Sequence, residues 1–203
     1  MPDVRNATEA DVPELSVALA QAFYDDPPAK WFFPDDAIRQ ARLRRWFSLA
    51  LRQLYLRHEH CFTTEDRAGA ALWVPPNVRH MTPLEQVRLL PSAASLFGRD
   101  LPRVLRAIAH GGSKRPAEPH YYLPFMGVAP AHQGRGIGSA LIRPVLQRCD
   151  HERVVAYLEA TTTRNAEFYK RHGFETFGET RLGDDGPPLR LMLRQPAPPP
   201  ETN

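Results

Sequence analysis

Hydrophobic and polar positions divide the chain into a recognisable order of elements. Residues 4–7 read as a short strand. Thr8 follows as an N-cap, with Asp11 standing in for the Glu of a capping box and Pro13 and Glu14 suiting a first turn. Leu15, Leu19, Ala22 and Phe23 then share one helical face. That helix should stop before Asp25-Asp26-Pro27-Pro28, because proline lacks a donor and restricts its predecessor. Trp31-Phe32-Phe33-Pro34 reads as an aromatic loop, and residues 38–57 as a second helix with apolar positions 43, 46, 47, 50, 51 and 54. Residues 61–64 and 70–74 flank a five-residue turn and form a hairpin, closed by Pro75-Pro76. Residues 82–110 read as helical pieces broken at Pro91 and Pro102, and residues 111–116 as a connector. An apolar strand at 121–128, a helix at 135–149 and a buried strand at 154–158 follow. A helix at 165–171 closes at Gly173, and strands at 174–181 and 189–193 flank Gly183-Asp184-Asp185-Gly186. Pro144 is a misfit inside its helix.

This order predicts an α/β (α+β layered) fold. The strand–helix–strand unit over 121–158 implies one parallel crossover and the hairpin is antiparallel, so the central sheet is mixed, flanked by helices. A length of 203 residues favours one domain, placed at 1–195, with residues 76–115 as a helical insertion and a Pro-rich tail from 196.

Composition mostly excludes. Lys plus Arg (26) nearly balances Asp plus Glu (23), and no basic stripe interleaves with aromatics, which argues against a nucleic-acid partner. Two cysteines, Cys61 and Cys149, supply neither metal spacing nor a disulfide framework, so no metal is expected. The N-terminus lacks the apolar core of a signal peptide and no apolar run approaches membrane-spanning length, so a cytoplasmic protein without a membrane partner is expected.

The segment that carries chemistry runs from Val128 to Ser139. It follows a strand, opens a helix, and has glycines at 134, 136 and 138. Such glycines let the backbone approach a ligand, and the helix N-terminus offers free N–H groups, so the segment suits a phosphate or pyrophosphate. No Lys is present for a Walker loop, and the third position of a dinucleotide fingerprint is Ser139 or Leu141 rather than Gly.

Val128-x-Pro130-x-x-Gln133-x-x-Gly136-x-Gly138 resembles the acyl-CoA signature of the GCN5-related N-acetyltransferase (GNAT) superfamily. A second block, with Tyr157-Leu158-Glu159-Ala160, Asn165, Phe168-Tyr169 and His172-Gly173-Phe174, follows at the spacing of that family. The resemblance is specific over 121–175, and some of it is shared with puromycin-type antibiotic acetyltransferases. It implies a GNAT-like fold and acetyl-CoA as cofactor. Met126, Gly127 and Val128 would pair with the pantetheine arm as an added strand. Gly134, Arg135, Gly136, Ile137, Gly138 and Ser139 would hold the pyrophosphate. Asn165 would touch the cofactor or serve only as a helix N-cap.

By the same resemblance, Tyr169 would act as general acid toward the departing thiolate and Val128 N–H as oxyanion donor; the alternative for Tyr169 is a core aromatic beside Phe168. Glu159 matches a position used as base, with Glu118, His120 and Asp26 as rivals. Tyr24, Asp26, Trp31, Phe32, Trp73 and Tyr121 would line an acceptor pocket suited to a cationic, partly apolar amine. The implied reaction is direct acetyl transfer to a small-molecule primary amine. A peptide N-acetyltransferase and a non-catalytic acyl-CoA sensor are the alternatives, and the insertion could cover the pocket or form a homodimer face.

Overall fold

The computed structural model describes residues 2–76, 78, 83–112 and 115–198. Seven strands form one sheet: β1 (Val4–Asn6), β2 (Cys61–Thr64), β3 (Gly69–Val74), β4 (His120–Val128), β5 (Val155–Ala160), β6 (Glu175–Arg181) and β7 (Pro188–Arg194). Their spatial order is β1-β2-β3-β4-β5-β7-β6. Only β4 and β5 run parallel; every other neighbouring pair is antiparallel. The sheet is therefore mixed and mostly antiparallel, as expected.

Helices α1 (Val12–Ala22), α2 (Pro27–Phe32), α3 (Asp36–Ala50), α4 (Pro83–Phe97) and α5 (Leu101–Gly112) precede β4; α6 (Ile137–Glu152) and α7 (Thr163–Lys170) follow it. Strand alternation sorts the core into two layers. Leu72, Val74, Tyr122 and Tyr157 pack with α1, α3, α4 and α5; Ala71, Trp73, Tyr121 and Leu158 pack with α6 and α7.

The N-terminal turn is held by ionic bonds. Asp11 is fully buried and accepts from both terminal nitrogens of Arg5 (2.8 Å each), from the Thr8 N–H and hydroxyl (2.9 Å each) and from Arg67 (2.7 Å). Those donors hold its carboxyl far below the usual carboxylate range, the Arg5 bonds contributing most.

Prolines account for most departures from the expected elements. Pro27 and Pro28 end nothing further: they occupy the first turn of α2, where a missing N–H costs no bond, so part of the expected aromatic loop is helical. Pro91 lies inside α4 and Pro144 inside α6, and both helices continue past them. The second long helix ends earlier than expected, at Ala50, and passes through a wider π-helical turn over Leu51–Tyr55. Ser113 and Lys114 of the expected connector lie outside the described residues, as do 199–203 of the tail; Ala197 donates its N–H to Asp150 at 2.7 Å.

Candidate active site

The site begins where β4 and β5 part. Their pairing covers only His120–Leu123 against Val155–Leu158. Beyond it β4 stays with β3 and β5 with β7. Two features of β4 produce this fork. Pro124 has no N–H to continue a ladder. The register with β3 also slips: Tyr122 opposes Val74 but Phe125 opposes Leu72, so Leu123 and Pro124 both face Trp73 as a bulge.

The bulge also decides which groups point into the fork. Ala129 N–H donates to the Ala68 carbonyl at 2.8 Å. Alternate residues of an antiparallel strand turn their polar groups to opposite edges. The N–H groups of Val128 and Met126 are therefore directed away from β3, toward β5. The Val128 carbonyl already accepts from the Gln133 side chain (3.0 Å), which leaves its N–H as the available group. Gly127 has the other parity, and its amide pairs with β3. Its small size serves α1 instead, because a Cβ there would lie 2.9 Å from both Ala22 Cβ and Phe23 Cε2.

The glycine turn divides by function in a similar way. Gly134 (φ +77°) and Gly136 (φ +76°) are left-handed, and a Cβ on either would meet nothing within 4 Å. Gly136 occupies the N-cap position of α6, with no side-chain cap to satisfy the first N–H groups. This cradle fits a pyrophosphate. Gly138 is different: its Cβ would sit 3.3 Å from Phe168 Cζ, so it permits α6 to approach α7. Ser139 Oγ lies 3.0 Å from His172 Nε2, and Arg135 donates to the Ala131 carbonyl at 3.1 Å. Arg143 and Arg171 border the same groove, and burial together with these cations holds His172 below the usual histidine range. The donor set and open backbone thus fit a CoA-type phosphate group.

On the opposite side of the fork a polar chain joins three elements. Asn165 Nδ2 donates to Thr161 Oγ1 (3.1 Å), and Thr161 Oγ1 donates to Asp26 Oδ2 (2.5 Å). Asp26 is half-buried at the start of α2, and burial raises its carboxyl to about 6 despite the Thr161 bond. Tyr169 is buried on α7, and its hydroxyl makes no hydrogen bond among the described residues. Burial first and then the nearby Asp26 charge push the Tyr169 phenol well above its ordinary value. The structure thus brings Asp26, Tyr169 and Asn165 together. Asn165 is not the N-cap of α7; that position is Thr162, whose hydroxyl accepts the Asn165 N–H at 3.1 Å.

Several expected site residues stand elsewhere. Glu159 lies on the α1 face of β5, but Tyr122 and Tyr157 donate to its two oxygens at 2.9 Å each, and Arg115 Nε is 3.9 Å away. Trp73 and Tyr121 face α6, away from the acceptor side; Trp73 is fully buried and the Tyr121 hydroxyl donates to Glu152 (2.8 Å). The Tyr24 hydroxyl is turned to the Asp36 carbonyl (3.4 Å), with the Arg39 guanidinium over its ring. Phe32 packs between Trp31 and Phe97, whereas Trp31 lines a pocket beside α5. His120 Nδ1 is 2.8 Å from the Glu118 carbonyl, at the opposite end of β4 from Val128. Gln133 and Thr161 are absent from the expected set. Gln133 belongs to the glycine motif, while nothing in the Thr161-Thr162-Thr163 run signals a link to Asp26.

Comparison with known proteins identifies the family. Residues 20–174 match the Acetyltransferase (GNAT) family. The chain belongs to that family. A Corynebacterium glutamicum crystal structure, described as histone acetyltransferase HPA2 and related acetyltransferase, is similar at 30% identity and TM-score 0.75, covering 98% of both chains. An uncharacterized N-acetyltransferase of Schizosaccharomyces pombe is 24% identical over 92% of this chain and 80% of its own. A Drosophila melanogaster polyamine N-acetyltransferase that forms N-acetylagmatine shares the fold at 16% identity and TM-score 0.62, covering 96% of this chain and all (100%) of its own. This GNAT protein is thus an acetyltransferase, and among its described residues no helix is long and apolar enough to cross a membrane.

Proposed function

We propose that this GNAT protein transfers acetyl from acetyl-CoA directly to the primary amine of a small molecule, with Asp26 as base. The observation that carries the reading is the half-buried Asp26 carboxyl, hydrogen-bonded among the described residues only by Thr161 and close to Tyr169 at the fork. A carboxyl poised near 6 is mostly ionised at pH 7 yet basic enough to take a proton from an ammonium. Acetyl-CoA would supply the acetyl group as an activated thioester. Its pantetheine would lie along the Met126 and Val128 edge of β4, and its pyrophosphate at Gly134, Gly136 and the amides of Ile137, Gly138 and Ser139. Arg135, Arg143 and Arg171 would add charge. Asn165 would act through Thr161, holding Asp26 in place.

The residues then divide the work. Asp26 would accept the proton that makes the amine nucleophilic. Val128 N–H would donate to the negative charge that develops on the acetyl oxygen. Tyr169 hydroxyl would donate to the departing sulfur.

A small acceptor is favoured by the insertion. Phe97 stacks on Phe33 (5.3 Å, 5°) and packs against Phe32 and Trp46, and Arg103 lies 4.0 Å over the Trp31 ring. These contacts would cover the acceptor side, where an extended peptide would need an open groove. The histone acetyltransferase description of the Corynebacterium relative keeps a peptide acceptor as the second reading. The test is thiol release from acetyl-CoA with a panel of small amines against a panel of peptides. Turnover of amines with Tyr169-dependent rate supports the proposal. Turnover of peptides alone overturns the acceptor class. Acetyl-CoA binding with no turnover, unchanged in Tyr169→Phe, overturns catalysis in favour of a sensor.

A further inference from the structure

From the groove between α6, the α7–β6 turn and the end of β7, we infer that this chain reads the 3′-phosphate of CoA with Arg143, Arg171 and His172, and so takes its acyl group from free CoA rather than from a phosphopantetheine arm that lacks the nucleotide. The inference rests on the acetyl-CoA reading above and adds the class of donor. The groove has a volume of about 530 Å³, within the range of small-ligand sites. Of the residues assigned to the pyrophosphate, Ser139 lines this groove and Gly134, Arg135 and Gly136 do not. The groove therefore adjoins the glycine turn without being the turn itself. In CoA the group beyond the pyrophosphate is a ribose that carries a 3′-phosphate and adenine.

The sequence gathers cations along this groove. Ser139, Arg143 and Gln147 are spaced by four, which puts them on one face of α6, and all three line the groove. Arg171, His172 and Gly173 line it from the turn after α7. That corner is fixed by β7: Arg194 Nε donates to the His172 carbonyl at 3.0 Å, and a Cβ on Gly173 would sit 3.4 Å from the same nitrogen. The Arg194 charge is matched by Asp150, which accepts at 2.7 and 2.9 Å. The other two guanidinium groups are not matched. Among the described residues Arg143 makes no hydrogen bond or ion pair, and Arg171 makes a 3.3 Å bond to the Glu167 carbonyl and lies 5.7 Å over the Phe168 ring.

His172 links these cations to the glycine turn. Its ring is half-buried, with Nε2 held 3.0 Å from Ser139 Oγ. The charged groups that bear on it are Arg143 on α6, Arg171 beside it and Arg194 on β7, with Asp150 already bonded to Arg194. Burial first, then these three cations, hold the ring below the usual histidine range. A phosphate dianion supplies the opposite charge that the groove lacks, and it would favour the protonated ring. Binding would then draw a proton onto His172. A donor that ends at phosphopantetheine would leave Arg143 and Arg171 unused.

The test reads binding and the imidazole, and needs no turnover. Calorimetry on the full chain compares CoA with dephospho-CoA at one fixed ionic strength, because salt screens exposed charges. CoA should bind about tenfold more tightly, and Arg143→Ala combined with Arg171→Ala should weaken CoA by about that factor while changing dephospho-CoA by less than about threefold. The His172 ring is assigned among the eight histidines by its loss in His172→Gln. By NMR it should titrate at a higher pH with CoA than with dephospho-CoA or with no ligand. Equal affinity for the two compounds, a preference that survives the double substitution, or a His172 titration that CoA leaves unmoved overturns the inference. Tight binding of both, with amines acetylated as fast from acetyl-dephospho-CoA as from acetyl-CoA, would remove this inference and keep amine acetylation. Binding of neither would remove the inference and the acetyl-CoA reading together.

Discussion

Two carboxylates sit on the same face of the sheet, near the carboxyl end of β5, and their surroundings are opposite. Glu159 receives two phenol bonds and has a guanidinium nearby. Asp26 receives one hydroxyl bond and is otherwise desolvated. Position on a strand therefore says less about a carboxylate's surroundings than the donors that reach its oxygens. Glu159 aligns Tyr122 and Tyr157, whose rings stack 5.6 Å apart. Asp26 has one donor, and burial raises its carboxyl to about 6.

The contrast can be broken most directly at Asp26. Asp26→Asn should lower kcat/KM by roughly 10²–10⁴-fold, the usual worth of a general base, while steady-state assays leave the KM for acetyl-CoA unchanged. The same change should stabilise the fold. A carboxyl held near 6 in the native state binds protons more tightly than in the unfolded chain, so its contribution is present below about pH 4 and is lost as pH rises through 6. Allowing for partial exposure, urea unfolding at pH 8 should show Asp26→Asn more stable than the parent by roughly 2 kcal/mol, with no difference at pH 3.5.

Tyr169→Phe should act on rate alone. With its hydroxyl free of hydrogen-bond partners among the described residues, its removal leaves no donor or acceptor stranded there, so kcat should fall about 10²-fold with little change in melting temperature. Glu159→Gln should reverse that pattern: kcat within about threefold of the parent, and stability lower by about 1–2 kcal/mol because one phenol loses its acceptor. A Glu159→Gln enzyme that loses activity as deeply as Asp26→Asn would erase the contrast.

How far the sequence foretells this arrangement depends on the range of the forces involved. The strand and helix order, the hairpin and the glycine turn are local, and their periodicity and turn residues announce them. Gly134 and Gly136 are left-handed for the same reason: a left-handed turn before a helix is a short-range requirement. Gly127 and Gly138 look identical in sequence but answer to α1 and to Phe168, contacts across the tertiary structure. Residue type alone suggests the acceptor side for Trp73 and Tyr121; strand parity turns both to α6. The Asp26–Thr161 bond joins residues 135 positions apart, which no local pattern encodes. Pro27-Pro28 carries a double signal, stopping one helix and starting the next, and only the second explains why Asp26 stands at the head of α2.

The central claim is that Asp26, and not Glu159, receives the acceptor's proton. The most direct measurement is kcat/KM from pH 4.5 to 9 for the parent, Asp26→Asn and Glu159→Gln with one turned-over amine. The account predicts that the rate falls below a limb near pH 6 in the parent and in Glu159→Gln, and that this limb is missing from Asp26→Asn. A limb that persists in Asp26→Asn and vanishes in Glu159→Gln would contradict it.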